Sequence, residues 1–523
     1  MATAKKPDVN LEEALVLTEP AIGDWLVAAP LILGFMFGAL CLMQRKNVAR
    51  QTNIAIIGLV LMLLADIGLF WNVLQNGTVV MTMGRWLPPF GITFAADMLG
   101  ATFALIAGIV GLAGGVYALS DVDDTNRRYG FYPFLLLMMA GVTTAFLTGD
   151  IFNLYVWFEV LLIASFGLII LGSEREQLDG ATKYAVLNLI ATTLFLIGVA
   201  YLYGIFGTLN MADIARKAPL LQNTGPHFTI AIMFLFAFGM KAAAFPLNAW
   251  LPASYHTPRI AVSALFAGLL TKVGIYALLR IFMTLFAQDR QDLALLIGIV
   301  AALTMLLGAL GALAQTDIRR LMGYLVVSGI GLMLAGLAIG SQIGLSGTVF
   351  YSAHSMIIMT ALYLLAGVMG GLMGTFDLNK AGGLYSRAPW LAGLCLVLVF
   401  SASGLPPFSG LWPKIFLVKG AIDVGIWWLA AAILVSGLLT TIALVRMFSF
   451  SFWRDAPAEV AEPFNFSEHR IAILTTLCLA ALSVVAGLYP EPFIQVSDRV
   501  ASELSVPQNY IDAVFVPNAE GVN

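Results

Sequence analysis

The stretch AFGMKAAAFPLNAWLPASYHTPRIAVSALFAGLLTKVGIYALLR, residues 237–280, sets Lys241 and Lys272 inside two successive apolar runs and places Pro246 five residues after the first lysine. A lysine in hydrocarbon costs roughly 2.5–3.5 kcal/mol on insertion scales. A proline removes a backbone donor and interrupts the helix ladder. Such costs, so close together, need a compensating reason. A protonatable path through a membrane supplies one.

The composition around this stretch agrees. Of the 523 residues 60% are hydrophobic and 11% charged, and mean hydropathy is +0.90. A soluble domain carries about 25% charged residues, so the chain reads as an integral membrane protein. Net charge −3 offers nothing to a nucleic acid. Cys41, Cys395 and Cys478 are scattered through apolar runs without disulfide or metal spacing, and read as small packing residues. The first 24 residues lack the core and cleavage site of a signal peptide and read as an extramembrane tail. The stretch after Leu488 is polar, proline-punctuated and not expected to span.

Runs of about 20 apolar residues mark spanning helices, and the chain carries about fourteen of them. They lie near 25–43, 53–73, 94–119, 130–148, 151–172, 181–206, 228–250, 258–286, 292–315, 318–338, 347–373, 389–422, 426–453 and 470–490. The expected fold is therefore an all-α polytopic membrane protein. Fourteen Lys and Arg, among them Arg45, Arg127, Arg320 and Arg454, follow odd-numbered spans, against seven on the other side, Lys5 and Lys6 included. That bias places both termini away from the cytoplasm.

Two spans look broken: the seventh at AAAFPLNAWLP, 242–252, and the twelfth at SASGLPPFSGLWPK, 401–414. Their numbers have opposite parity, so they cross in opposite directions. Helices four to eight and nine to thirteen then read as inverted five-helix repeats with discontinuous helices 7 and 12. The resulting divisions are a tail (1–24), three spans (25–129), a first repeat (130–286), a second repeat (287–453), and the last span with its tail (454–523). Each repeat is expected to form a proton half-channel.

Glu159, Lys241, Lys272 and Lys414 fall well inside their runs. Mutual neutralisation of Glu159 and Lys241 would add little net stability, because desolvation offsets the attraction. A protonatable role accounts for them better. A proton passed from Lys241 to Lys272 and on to Lys414 would move laterally along the midplane, with water filling the gaps. His354, between the two halves' lysines in chain order, suits a relay by its reference pKa, although a satisfied core histidine fits as well. His256, in the loop SYHTPR, reads equally as a structural hydrogen bond or a proton entry. Asp97, Lys183, Arg280 and Lys419 lie near helix ends and could snorkel to the interface; Lys183, with Asn188 in the same span, could also line a wet cavity. Asp66 is expected to serve a local hydrogen bond.

No cysteine cluster, nucleotide-binding glycine loop or paired-histidine pattern is present in the sequence, so no cofactor or redox centre is expected. Lysines cannot ligate sodium, which needs oxygen donors. A metal site therefore stays unassigned.

DIFNLYVWFE (150–159), GMKAAAFPLNAWLP (239–252), AVSALFAGLLTKVGIYALLR (261–280) and GLPPFSGLWPK (404–414) together resemble the antiporter-like family. That family comprises the large membrane subunits of respiratory complex I and the A and D subunits of Mrp-type multisubunit Na+/H+ antiporters. YHTPRIAVSALFAGLLTKVGIY and PPFSGLWPK are worded most like the D-type branch of the Mrp group. The resemblance implies fourteen helices with broken helices seven and twelve. It further implies a proton-translocating transporter component, not an enzyme, that works in the cell membrane with other antiporter subunits (A, B, C, E, F and G types), protons, Na+ and lipid. Glu159 is implied as the switchable carboxylate, Lys241 as its pair, Lys272 as the central relay and Lys414 as the terminal site. Many relatives carry a lysine one turn after the histidine of helix eleven, where SMIIM follows His354 here. The alternative implied by the same residues is a proton-pumping membrane-arm subunit of a complex I-type oxidoreductase or membrane hydrogenase.

Overall fold

The computed structural model describes residues 14–16, 19–220, 226–455 and 466–515. Residues 1–13 of the N-terminal tail, with Lys5 and Lys6, lie outside the described residues, as do 516–523 at the other end. The chain is an all-α polytopic membrane protein apart from one small antiparallel ribbon. It begins with α1 (Ala29–Met43), α2 (Val48–Asn76), strands β1 (Val79–Thr82) and β2 (Thr93–Ala96), and α3 (Met98–Asp121). The next group is α4 (Asp124–Tyr129), α5 (Phe131–Leu147), α6 (Ile151–Ile169), α7 (Arg175–Phe206) and α8 (Met211–Lys217). Then come α9 (Pro226–Ala242), α10 (Trp250–Ser254), α11 (Ile260–Arg280), α12 (Ala287–Ala314), α13 (Ile318–Ile339) and α14 (Gln342–Met373). The last third holds α15 (Leu384–Arg387), α16 (Pro389–Ser403), α17 (Leu411–Asp423), α18 (Trp427–Phe448), α19 (Phe466–Leu488), α20 (Glu491–Ser505) and α21 (Gln508–Phe515). Among the described residues ten helices are long and apolar enough to cross a membrane, and four shorter apolar ones accompany them.

The expected third span is shorter than its apolar run. Thr93–Ala96 pairs with Val79–Thr82 as a strand, with Val79 opposite Ala96 and Thr82 opposite Thr93. Asp97 then accepts from the Gly100 amide at 2.9 Å and starts α3 as its N-cap.

The opening stretch occupies the centre. All 21 residues of α11 are buried, with α3, α9, α13 and α14 packed around it. In α2 and α7, by contrast, large apolar residues such as Leu64, Trp71, Leu189 and Tyr201 face outward. An apolar periphery around a packed interior is the pattern hydrocarbon permits.

Both expected helix breaks are present. α9 ends at Ala242, Ala243 takes a positive φ of 62°, and helix resumes at Trp250. Pro246 has no N–H to continue the ladder, and other groups meet the freed backbone. The Phe245 amide donates to Thr304 Oγ1 at 2.9 Å, and the Trp250 indole donates to the Met240 carbonyl at 3.1 Å. α16 ends at Gly404, whose φ of 81° favours glycine. Its last carbonyls, on Ala402 and Ser403, turn toward Lys414 on α17.

Residues 489–515 hold no helix long and apolar enough to cross a membrane, and they are folded. α20 packs on α3 and α14, and α21 packs on α8 and on the ribbon. Together they cover the ends of α3 and α11. Arg280 and Asp97 consequently do not snorkel, and this corrects the sequence reading. Arg280 is 1% exposed and Asp97 3%; the guanidinium donates to the two carboxylate oxygens at 2.7 and 2.6 Å. The Tyr510 ring of α21 lies 5.0 Å from the guanidinium carbon. Asp66 also departs from expectation. It is fully buried, and neither carboxylate oxygen has a hydrogen-bond partner among the described residues.

Candidate proton-relay site

Lys241, in the last turn of α9, is 5% exposed. Its ammonium donates to Thr192 Oγ1 of α7 at 2.9 Å and lies 5.1 Å from the centre of the Phe158 ring. Thr192 passes its own proton back to the Asn188 carbonyl at 2.7 Å, which leaves a lone pair for the lysine. Glu159, the neighbour of Phe158 on α6, is half-buried, and its Oε1 is buried without a partner among the described residues. Its charge reaches Lys241 electrostatically, yet no ion pair within 4.0 Å joins the two among the described residues. The contact expected from resemblance is thus an electrostatic approach rather than a bonded pair.

Lys272 is completely buried in α11. Its one hydrogen bond among the described residues goes to the Ala267 carbonyl of its own helix, at 2.5 Å. An ammonium has three donors, so two are left over. Lys414 donates to the Ala402 and Ser403 carbonyls at 3.3 and 2.6 Å. These are carbonyls that the break in α16–α17 deprives of helical partners, at the negative end of a helix dipole. All three lysines are therefore held by neutral oxygens.

His354 on α14 is 4% exposed, and its Nδ1 lies 2.8 Å from Ser409 Oγ in the break before α17. Lys272 and Lys414 both lie within electrostatic reach of the ring. A Cβ on Gly410 would clash with the Ser401 carbonyl oxygen and meet the imidazole at 3.1 Å. The break thus carries both the serine that meets the histidine and the close approach that needs a glycine.

Lys183 is not part of this group. It is exposed and pairs with Asp179 at 2.5 Å, one turn back. Nine residues at 100° each set Lys183 and Thr192 on opposite faces of α7. The face of α7 toward Lys241 is polar through Asn188 and Thr192. Lys419 is likewise exposed and pairs with Asp423.

His256 lies in the loop after α10, with Nδ1 3.0 Å from the Pro252 carbonyl and Nε2 3.1 Å from Arg320. A guanidinium only donates, so Nε2 accepts and Nδ1 carries the proton. Both nitrogens are in use. The ring lines an open polar cavity of about 340 Å³ shared with Glu176, Asp179, Lys183 and Arg320. Burial first, then the charges of Arg320 and Arg319, hold His256 below its ordinary pKa, against the weaker pull of the Pro252 hydrogen bond and Asp317. A histidine whose folded pKa is depressed contributes stability that is present above about 6.5 and lost as pH falls through the folded value. Thermal stability at this loop should accordingly decline on acidification below about pH 6.5. His256→Asn, which keeps a donor for Pro252 and cannot titrate, should flatten that part of the profile; an unchanged profile would show that the ring does not set it.

Thr192, Ser409 and the carbonyls of Ala267, Ala402 and Ser403 were not legible as site groups in the sequence. They are neutral, and nothing in a run of apolar residues marks them. The one available signal was the spacing from Asn188 to Thr192, one helical turn on the buried face of α7.

Against known proteins, residues 148–440 match the family described as NADH:quinone oxidoreductase/Mrp antiporter, TM. The D-type component of the Na+/H+ antiporter of Alkalihalophilus pseudofirmus is 42% identical over 490 residues, covering 94% of this chain and 99% of that protein. A chain of the Mrp complex from Dietzia sp. superposes with a TM-score of 0.86 at 28% identity, covering 95% of this chain and all of that one. A chain of the membrane-bound sulfane sulfur reductase, an archaeal respiratory membrane complex, superposes at 0.85 with 26% identity, covering 94% and 99%.

Proposed function

Because the chain belongs to the NADH:quinone oxidoreductase/Mrp antiporter family of transmembrane subunits, we propose that it is the proton-translocating subunit of a multisubunit Na+/H+ antiporter. It works in the cell membrane, with both termini on the extracytoplasmic side, beside other subunits of the antiporter complex. Residues 130–286 and 287–453 act as its two half-channels. The observation that carries the reading is the bonding of Lys241, Lys272 and Lys414 by neutral oxygens alone.

An ammonium bonded to a carboxylate is fixed by the opposite charge. One bonded to a hydroxyl or carbonyl loses only a hydrogen bond when it gives up its proton, so it can cycle. Glu159 supplies the field that favours the charged form of Lys241, and a change in the charge on Glu159 alters how tightly the lysine holds its proton. From Lys241 the proton passes to Lys272 and then to Lys414 by way of His354. Among the described residues, buried polar atoms without partners include Glu159 Oε1; Thr271 Oγ1 and Ser355 Oγ, next to Lys272 and His354 in the chain; and the Oγ of Ser403, the residue whose carbonyl holds Lys414. Such atoms are where internal water gains hydrogen bonds, and water spans the gaps between stations.

The near-equal superposition on a respiratory membrane complex supports a second reading, in which a redox module drives the same relay. The higher identity, 42%, is to an antiporter component, and it favours the first. The deciding experiment is sodium-dependent proton flux from the reconstituted whole complex. Glu159→Ala and Lys241→Ala should each abolish flux with assembly intact. Unaltered flux in both would remove the relay, and wild-type proton flux indifferent to sodium would remove the antiport.

A further inference from the structure

Three serines from separate segments converge beside His354. Ser401 is in the last turn of α16, Ser409 in the break, and Ser483 on α19, and all three are buried. Ser401 Oγ lies 2.5 Å from Ser483 Oγ, Ser483 lies 2.7 Å from Ser409, and Ser409 lies 2.8 Å from His354 Nδ1. The remaining edge, Ser401 to Ser409, is longer at 3.3 Å. Three hydroxyl protons can occupy the three short edges at once, all pointing toward the imidazole. They can also point the other way when Nδ1 carries the proton. The set is a chain of hydrogen bonds with two polarities.

This chain does not end in packed protein. His354, Ser409 and Ser483 line a cavity of about 570 Å³. Its other walls include Phe70 of α2, Ile106 of α3, and Phe493 of α20, the helix that follows α19 out of the spanning region. The walls are mostly apolar, so water enters it sparingly and gathers at its polar corner of His354, Ser409 and Ser483.

We propose that Ser483 and Ser409 form a hydroxyl relay between this cavity and Nδ1 of His354, the ring nitrogen that Ser409 covers, so that α19 supplies a proton-transfer residue. The proposal rests on the relay reading given above. In one transfer, a hydronium ion in the cavity gives a proton to Ser483 Oγ and is left as water. The former hydroxyl proton of Ser483 passes to Ser409, and that of Ser409 passes to Nδ1. Each serine ends with one proton, and the positive charge has moved from the cavity to the imidazole. The reverse sequence releases a proton into the cavity. Ser401 holds Ser483 by its 2.5 Å contact and is a positioning residue.

The test uses the whole complex in vesicles, measuring sodium-dependent proton flux in H2O and D2O. Ser483→Ala should lower flux about tenfold, as expected for loss of one hydrogen bond in the transfer path, and should enlarge the solvent isotope effect. Ser483→Thr, which keeps the hydroxyl, should restore both. Ser409→Ala interrupts the same path, and it decides the matter if Ser483→Ala fails to assemble. Normal flux in either alanine variant overturns the proposal, as does a threonine variant no better than alanine. Lys241→Ala is the accompanying control. If it too keeps its flux, the relay reading has failed; if it loses flux while the serine variants do not, the hydroxyl relay alone has failed.

Discussion

Arg280→Met alone is expected to destabilise the protein by about 3–5 kcal/mol, because it strands a buried carboxylate. Asp97 and Arg280 exchange two short hydrogen bonds at 3% and 1% exposure. Tyr276 adds a contact from its hydroxyl at 3.3 Å, and its ring with that of Tyr510 flanks the cation. Water cannot solvate whichever charge is left. The double variant Asp97→Asn with Arg280→Met should recover most of the loss, because the asparagine still caps α3 and no net charge stays behind. Thermal unfolding of the detergent-solubilised complex measures this. A single-variant cost below about 1 kcal/mol would be that of an exposed pair and would contradict the seal made by α20 and α21.

Lys272→Met should move stability and activity in opposite directions. The lysine sits in the middle of a helix with every residue buried, and has one acceptor for three donors. Replacing it with an apolar side chain of similar length removes a cost of roughly 2.5–3.5 kcal/mol and keeps the volume. The complex should unfold at a higher temperature. Its proton flux should vanish, since the proposed station between Lys241 and Lys414 is gone. Retained flux with raised stability would mean that the lysine is a tolerated burden with no part in transport. Lost flux with lowered stability would mean that the amine holds the fold together, contrary to its single carbonyl contact.

Cations in apolar runs made the main line of the site legible. Lys241, Lys272 and Lys414 each violate the composition of their surroundings, and the violation shows in one dimension. The helix breaks were legible for the same reason, because Pro246 and Pro406–Pro407 cannot continue a ladder. What could not be read is what each charge touches. Thr192 and the Ala267 and Ser403 carbonyls are ordinary in sequence, and only packing makes them partners. Lys183 lies half a turn away from the face carrying Thr192, exposed beside Asp179 and lining the open polar cavity, as a lysine near a helix end can. Arg280 and Asp97 were misread because nearness to a helix end implies access to water only where nothing covers that end. The covering helices come from a polar segment more than two hundred residues later.

That separation bears on how the protein is made. Asp97 enters the bilayer early in translation, and its counter-ion is 183 residues away. At 5–20 residues per second the ribosome takes roughly 10–40 s to deliver it. Tyr510 arrives later still, well after Arg280 in the chain. During that interval the nascent chain holds an unmatched acid at the rim of its future core, so the insertion machinery or a neighbouring protein must shelter it. A chain cut short before Arg280 would carry the same flaw permanently, and the cell's proteases could recognise it by that exposed acid.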